Sequence, residues 1–197
     1  MRAKASLSLL MLFLFSSFLN AKFLFNDHLV SPKASDYIEK MGSELSNKTG
    51  INAYLITTND TIKRGVSVYD YIKRYKDSLS KPYIGIVFVP NSMRIHIVAS
   101  DKRLLESIDK DKVLDSAIKV IASKDSNSKQ SKYDVGLVQA YSELADEIAN
   151  AKGKKLKSTI KSGGSWVLKI LNTLIIVGSL IVIWIYFIAP IFRKKRE

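Results

Sequence analysis

The sequence contains no cysteine and only two histidines, His28 and His96, among its 197 residues. The absence of cysteine excludes disulfide bonds, zinc–thiolate sites and a cysteine nucleophile. The sequence also lacks the G-x-S-x-G pattern of serine hydrolases and the glycine-rich patterns that bind nucleotide phosphates. His96 lies within a predicted strand, where we expect a hydrogen-bonded structural histidine. These absences remove most common catalytic sets and leave carboxylates as the groups to consider for chemistry.

Positive charge is unevenly distributed along the chain, which has a formal net charge of +13. Residues 22–151 contain 19 Lys/Arg and 17 Asp/Glu, a net charge of only +2. The excess flanks apolar segments at both ends, whereas a nucleic-acid-binding protein more often carries a basic stripe on its folded surface. The charge distribution therefore predicts no nucleic-acid partner.

The first 21 residues have the pattern of a secretory signal peptide. Arg2 and Lys4 form a positive n-region, residues 7–19 form an apolar h-region, and Ala21 is a small residue suited to the position before cleavage. The apolar stretch is shorter than the ~20 residues that a membrane span needs. Residues 1–21 therefore predict export of the segment that follows.

A second apolar segment lies near the C-terminus, where residues 170–188 carry no charge. This run approaches the ~20 residues that a transmembrane helix needs, and Trp166 and Trp184 suit the two membrane interfaces. We predict a transmembrane helix within residues 166–192 and a basic cytoplasmic tail in residues 193–197. The predicted stop-transfer residues are Arg193, Lys194, Lys195 and Arg196.

The two segments together predict the topology of the protein. The first starts translocation and the second halts it, so the intervening domain is expected in the periplasm and the C-terminus in the cytoplasm. We therefore predict a single-pass protein of a bacterial inner membrane, in contact with the lipid bilayer.

A basic stretch, residues 152–165, separates the predicted domain from the predicted span. Its five membrane-proximal lysines are Lys152, Lys154, Lys155, Lys157 and Lys161. Glycine and serine are interleaved with the lysines, which predicts a flexible linker. Near an anionic leaflet each lysine adds about 1 kcal/mol of attraction, so a soluble linker and a lipid contact remain equally open.

Residues 22–151 alternate between helix and strand patterns. Ser31 is a predicted N-cap, Pro32 the first helical residue and Gly50 a left-handed C-cap of the first helix. Predicted strands cover residues 51–58, 83–89 and 93–99, the last two as a β-hairpin. The other predicted helical segments cover residues 68–79, 102–108, 112–121 and 133–152. We summarise the order as α-β-α-β-β-α-α, a single α/β/α sandwich with a mixed sheet.

In this order the segments resemble the TPM domain family. The stretch FNDHLVSPKASDYIEKMGSELSNKTGINAYLITTND is similar to the start of that domain, with Asn26-Asp27 in its short lead and Thr49-Gly50 at the end of its first helix. VYDYIKRY resembles the next helix, YIGIVFVPNSMRIHIVAS the strand hairpin, and residues 133–149 the closing helix. The resemblance covers residues 23–150.

The resemblance implies an extracytoplasmic α/β/α sandwich on a membrane tether. The family includes thylakoid proteins of photosystem repair with acid phosphatase activity, and auxiliary subunits of membrane receptors. Here SLSKPYIG replaces a longer Gly- and Asp-rich segment, and SDKRLLESI replaces a Gly-x-Gly stretch. We therefore predict a non-catalytic interaction, assembly or maintenance factor for another membrane protein or complex. A weak acid phosphatase or metal-assisted hydrolase is the alternative.

Carboxylates at strand ends are the remaining candidates for a site. Asp60 follows the first predicted strand and Asp101 follows the hairpin, and ligands of open α/β sheets bind beyond the carboxyl ends of strands. We expect the two aspartates to meet at one sheet edge, where a divalent cation such as calcium could bind; no other cofactor is predicted. The candidate binding edge comprises Thr57, Thr58, Asn59 and Asp60. Turn-forming polar residues explain the same segment equally well.

Overall fold

The computed structural model describes residues 22–160 and the single residue Trp184. The predicted signal peptide (1–21), the basic tail (193–197), Lys161 and all of the predicted span (166–192) except Trp184 lie outside the described residues. Within the described part of the chain, no helix is long and apolar enough to cross a membrane. The described residues up to Thr159 belong to one compact unit.

Within residues 22–160, four strands and five α-helices follow the order β-α-β-α-β-β-α-α-α. The strands are β1 (Leu24–Asn26), β2 (Asn52–Thr57), β3 (Tyr83–Val89) and β4 (Arg94–Ala99). The helices are α1 (Pro32–Thr49), α2 (Val68–Ile72), α3 (Lys102–Glu106), α4 (Lys110–Ile121) and α5 (Lys129–Ala151). Short 3-10 segments, Lys73–Ser78 and Pro90–Ser92, follow α2 and β3.

The strands form one mixed sheet in the order β1-β2-β3-β4. β1, β2 and β3 run parallel, and β4 is antiparallel to β3. Parallel neighbours require crossover connections, and α1 and the α2 segment lie in these connections. The mixed-sheet α/β prediction and the predicted β-hairpin are therefore confirmed.

Apolar side chains are buried on both faces of the sheet. On one face, Leu55, Ile86 and Ile97 belong to a core that includes residues of α1, α4 and α5. On the other face, Tyr54 and Val87 belong to a second core with residues of α2. A strand covered on both faces needs apolar residues at successive positions, which accounts for the uninterrupted apolar sequence of β3.

Local capping signals determine where α1 begins and ends, as predicted. The Ser31 side chain accepts a hydrogen bond from the Ala34 amide, and Pro32 occupies the first turn. Gly50 ends the helix at φ 69°, a left-handed conformation that glycine adopts without a steric penalty.

The predicted order is wrong in omitting strand β1, because it treats residues 24–26 as a lead before the first helix. Its three residues pair in parallel with residues 55–57. The Glu39 carboxylate on α1 accepts hydrogen bonds from the backbone amides of Phe23 (3.0 Å) and Leu24 (3.0 Å). A strand of three residues is too short to show a periodicity, so its sequence pattern carries no signal.

The largest differences in helix boundaries concern α2 and α5. The helix predicted at 68–79 is α-helical only to Ile72 and continues as a 3-10 segment. Helix α5 begins at Lys129, four residues before the predicted position. Its start is determined by Ser128, whose side chain accepts a hydrogen bond from the Ser131 amide.

Residues 154–158, which we call the strap, lie within the predicted linker (152–165) and are hydrogen-bonded to the folded domain. Gly153 ends α5 at φ 63°, and the Lys154 amide donates to the Ala149 carbonyl (2.8 Å). The chain then runs against α1, where the Glu44 carboxylate accepts hydrogen bonds from the amides of Lys157 (2.9 Å) and Ser158 (2.8 Å). The composition of this stretch does not reveal these contacts, because Glu44 lies more than a hundred residues away in sequence.

At Gly42, helix α1 lies close to Phe23, the residue before β1, and to Tyr141 of α5. A Cβ atom at this position would lie 2.5 Å from the Tyr141 hydroxyl and closer still to the Phe23 ring. Tyr141 is fully buried and donates a hydrogen bond to the Ala53 carbonyl (2.8 Å). Burial raises the pKa of Tyr141 well above its ordinary value. The hydroxyl is therefore held in place and cannot move aside for a larger residue.

Gly42→Ala is expected to lower the free energy of unfolding by about 1–2 kcal/mol, because overpacking outweighs the gain of about 1 kcal/mol in helix propensity. Urea unfolding followed by circular dichroism measures the change. Ser43→Ala, at an exposed neighbouring position of α1, is the control and should not destabilise. Equal unfolding midpoints for the two variants would contradict the close approach.

Candidate functional site

The predicted binding edge, residues 57–60, lies at the carboxyl ends of β1 and β2. Thr57 pairs with Asn26 in the parallel register, and its hydroxyl donates to the Asn26 side-chain oxygen (3.1 Å). Thr57 and Thr58 are buried, with 1% and 3% of their surface exposed. We refer to residues 57–60 as the polar edge.

Hydrogen bonds join the polar edge to the loops on either side. The Asn59 amide donates to the Asp27 carboxylate (2.8 Å), and the Asn59 side chain donates to the Asp27 carbonyl (2.7 Å). From the other side, Asn91 donates its side-chain amide to the Asn59 carbonyl (2.5 Å). The polar side chains and backbone groups of three loops thus form hydrogen bonds with one another. This is the structural, turn-forming role that the sequence leaves open as an alternative to a binding site.

Asp60 takes part in a smaller cluster with Tyr71 and Arg74. The Tyr71 hydroxyl donates to Asp60 Oδ2 (2.8 Å) and lies 2.9 Å from Thr58 Oγ1. Arg74 Nη1 lies 2.7 Å from the same Asp60 oxygen, and its guanidinium stacks 3.8 Å from the centre of the Tyr71 ring. Hydrogen bonds from Tyr71 and then Arg74 lower the pKa of Asp60. Burial raises the pKa of Tyr71 to about 12.

Asp101 lies at the other end of the sheet, so the expectation that it meets Asp60 is wrong. Asp101 follows β4, which runs antiparallel to β3 and ends opposite Ile84, at the start of β3. Asp60 follows β2, whose last residue, Thr57, pairs with Phe88 near the end of β3. Four residues of a strand span about 13 Å. These two carboxylates therefore do not fit a shared cation site.

The Asp101 carboxylate has a local structural role. It caps α3 by accepting a hydrogen bond from the Arg103 amide (2.9 Å), and it pairs with the Arg103 guanidinium (2.9 Å). The hydrogen bonds from Arg103 lower the pKa of Asp101. Within the described residues, no group of three or more His, Cys, Asp or Glu side chains is placed to hold a metal ion.

His96 also differs from its expectation. It is exposed on β4 opposite Val87, and its side chain forms no hydrogen bond with another described residue. An isolated exposed imidazole offers no second group for acid–base catalysis.

An apolar groove, which the sequence pattern does not predict, opens between the β3–β4 turn and helices α4 and α5. Its volume is about 540 Å³. The apolar residues that define it are Phe88, Met93, Ile95, Ile118, Ile121 and Tyr133. We call this the apolar groove.

The apolar groove is open to solvent and has a basic rim. Met93 is 95% exposed and Ile118 is 46% exposed. Arg94 and Lys129 also line the groove, with the Lys129 ammonium 5.7 Å from the Tyr133 ring. Among the described residues that line it, none is acidic. The groove therefore combines apolar contact area with unbalanced positive charge.

Met93 is exposed because it leaves the strand that the alternating pattern predicts for it. The 3-10 segment Pro90–Ser92 ends with the Met93 amide donating to the Pro90 carbonyl (2.9 Å), and Met93 takes a left-handed φ of 50°. Strand β4 starts one residue later. Pro90, Asn91 and Ser92 signal a turn, but they do not show where the side chain after the turn will point.

Comparisons with known proteins support the fold. No family model matches the chain, and no curated protein matches it. Among solved structures, the N-terminal domain of a protein from P. gingivalis superposes with a TM-score of 0.54 and 7% identity, covering 70% of this chain and 88% of that chain. At this identity the likeness concerns the fold alone.

Two further solved structures have lower scores. The N-terminal domain of the cg2496 protein from Corynebacterium glutamicum has a TM-score of 0.46 and 10% identity, covering 75% of this chain and 87% of that chain. The BA42 protein from Bizionia argentinensis has a TM-score of 0.43 and 17% identity, covering 68% of this chain and 96% of that chain.

Tyr71→Phe is expected to destabilise the protein by about 1–2 kcal/mol, because it removes a hydrogen bond to a carboxylate beside the buried Thr58. Hydrogen exchange at the Asp60 amide should also accelerate. Tyr69→Phe is the control, since Tyr69 is 52% exposed. Unchanged stability and exchange in Tyr71→Phe would contradict the role of the cluster.

Cation binding at the polar edge stays a prediction. Calcium binding there would raise the melting temperature, because a ligand of the native state stabilises it. Asp60→Asn should abolish this rise, and Asp101→Asn should leave it intact. A melting temperature that does not respond to calcium would contradict the prediction.

Proposed function

We propose that this protein is a membrane-tethered, TPM-like docking domain. Its folded part binds another membrane protein or complex in the periplasm and serves its interaction, assembly or maintenance without catalysing a reaction. The likeness to a bacterial N-terminal domain supports the fold. The resemblance over residues 23–150, the signal pattern and the apolar run at residues 170–188 support the family and the topology.

The apolar groove is the observation that carries this proposal. Met93 and Ile118 expose apolar side chains at its opening, and adjoining apolar residues at a rimmed depression are typical of interaction sites. Methionine suits such a surface because its flexible side chain adapts to different partners.

The charge of the groove specifies the occupant. Arg94 and Lys129 line it, and no carboxylate among the described lining residues offsets them. Electrostatic complementarity favours a partner of the opposite sign. The occupant is therefore an apolar segment carrying Asp or Glu, contributed by the extramembrane part of the partner.

The hydrolase alternative has less support from the residues. Asp60 and Asp101 lie at opposite ends of the sheet, and each carboxylate is paired with an arginine. A hydrolytic site needs polar groups that converge on one point.

Site-specific photo-cross-linking of the full-length protein in membranes tests the docking function. A cross-linker in place of Met93 should capture one membrane protein, and mass spectrometry should locate the cross-link in an apolar segment with acidic residues. Ile118→Ser should reduce this capture about tenfold, because an apolar contact of the groove is lost. Val135→Ser is the control. It also removes an apolar residue of similar exposure (45%), but one that does not line the groove.

Two outcomes would overturn the proposal. Equal capture by Ile118→Ser and Val135→Ser would remove the groove from the interaction. Phosphate-ester hydrolysis by the wild type that Asp60→Asn abolishes, with no captured partner, would favour the enzymatic alternative instead.

A further inference from the structure

The strap changes what the membrane-proximal lysines can do. In a flexible linker, the lysines would sample many positions and pay an entropic cost for each ordered contact. Here the backbone of residues 154–158 is held by bonds at both ends, to Ala149 and to Glu44. The exposed lysines of this region therefore project from a defined surface.

Glu44 provides most of the attachment. Besides the Lys157 and Ser158 amides, its carboxylate accepts the Ser158 hydroxyl (2.5 Å) and pairs with Lys48 Nζ (2.7 Å). Lys48 also donates to the Lys155 carbonyl (2.8 Å), which links the strap to the same helix. Between these contacts, Leu156 packs against the main apolar core.

The ionisation of Glu44 keeps the strap attached under ordinary conditions. Partial burial raises the pKa of Glu44, but hydrogen bonds from Lys48, Ser158 and Lys157 outweigh this effect and lower the pKa to about 2. A lowered folded-state pKa contributes stability above the ordinary value of 4.5, and this contribution is lost as pH falls from 4.5 toward 2. The attachment is therefore complete throughout the neutral range.

The charge of the strap region is almost entirely positive. Lys152, Lys154, Lys155 and Lys157 are all exposed. The sequence from 148 to 160 contains no acidic residue. Within residues 22–160, the carboxylate that hydrogen-bonds to the strap is Glu44, and it is already occupied by backbone amides and Lys48. Among the described residues, no ion pair joins Lys152, Lys154, Lys155 or Lys157 to a carboxylate.

We propose that the strap region is a lipid-contact surface, in which Lys152, Lys154, Lys155 and Lys157 bind the anionic headgroups of the leaflet that anchors the chain. The predicted span starts at residue 166, and the eight residues from Ser158 to that point reach at most about 28 Å when extended. Anionic leaflets attract such juxtamembrane lysines. The proposal rests on the predicted anchor and is independent of the apolar groove.

Fluorescence quenching of the full-length chain in nanodiscs tests the contact. Because the chain has no cysteine, Asn150→Cys gives a unique label beside the strap, at an exposed position. Ser126→Cys gives a control label before the other end of α5, a helix about 34 Å long. A quencher attached to lipid headgroups should quench the label at 150 at least about twofold more in anionic than in zwitterionic nanodiscs, and leave the label at 126 unchanged.

Charge-matched variants separate a strap contact from a general charge effect. Lys154→Gln/Lys155→Gln should abolish the lipid-dependent quenching at position 150. Lys63→Gln/Lys124→Gln removes the same charge from exposed positions outside the strap and should retain it. Equal quenching in both lipids, or an equal loss in both double variants, would overturn the proposal, as would recovery of the chain outside the nanodiscs.

The attachment itself has a separate measurement. Glu44→Gln should accelerate hydrogen exchange at the Lys157 and Ser158 amides about tenfold or more and weaken the quenching at position 150. Unchanged exchange in this variant would overturn the strap as the organising element. The groove variant Ile118→Ser should leave the quenching intact, so failure of the lipid contact and failure of the docking function give different results.

Discussion

The close approach of helix α1 to its neighbours is the constraint on which the rest of this domain depends. Gly42 leaves room for the Phe23 ring and for the Tyr141 hydroxyl, which bonds to the Ala53 carbonyl of β2. In this position the same helix directs two carboxylates at the backbone of other segments. Glu39 holds the start of β1, and Glu44 holds the strap that follows α5. One helix therefore secures both the first strand and the strap.

The carboxylates described above form hydrogen bonds with backbone amides or pair with arginine side chains, which makes them less available as ligands for a cation. Asp60 is bonded to Tyr71 and Arg74, and Asp101 caps α3 beside Arg103. Each of these contacts lowers the pKa of the aspartate concerned. The apolar groove, by contrast, is lined by apolar side chains with a basic rim, which is the chemistry of recognition more than of hydrolysis.

Features encoded by neighbouring residues could be predicted from the sequence. The caps of α1, the burial of Ile38 and Leu45 and the β3–β4 hairpin all depend on residues within a few positions of each other. Strand β1 depends instead on hydrogen bonds from its backbone to the Glu39 carboxylate, and such a contact leaves no periodic pattern in the sequence.

The candidate site was harder to predict because it depends on topology. Asp60 and Asp101 both follow strands, yet the antiparallel direction of β4 separates them. The apolar groove requires Met93 to leave its strand and the α4–α5 connection to lie beside Phe88, and neither condition has a local pattern. The strap has the composition of a linker, and its main attachment is to Glu44, an acidic residue more than a hundred positions away in sequence.

Helix α5 also fixes a distance between two surfaces. The strap follows its C-terminal end, and the apolar groove includes Lys129 and Tyr133 from its first turns. At 1.5 Å per residue, about 30 Å of helix separates them. A strap resting on the bilayer would hold the groove up to that far from the lipid, at the height of a partner's extramembrane domain. In the proposed arrangement, the helix would act as a spacer that determines which layer of a membrane complex the groove can reach.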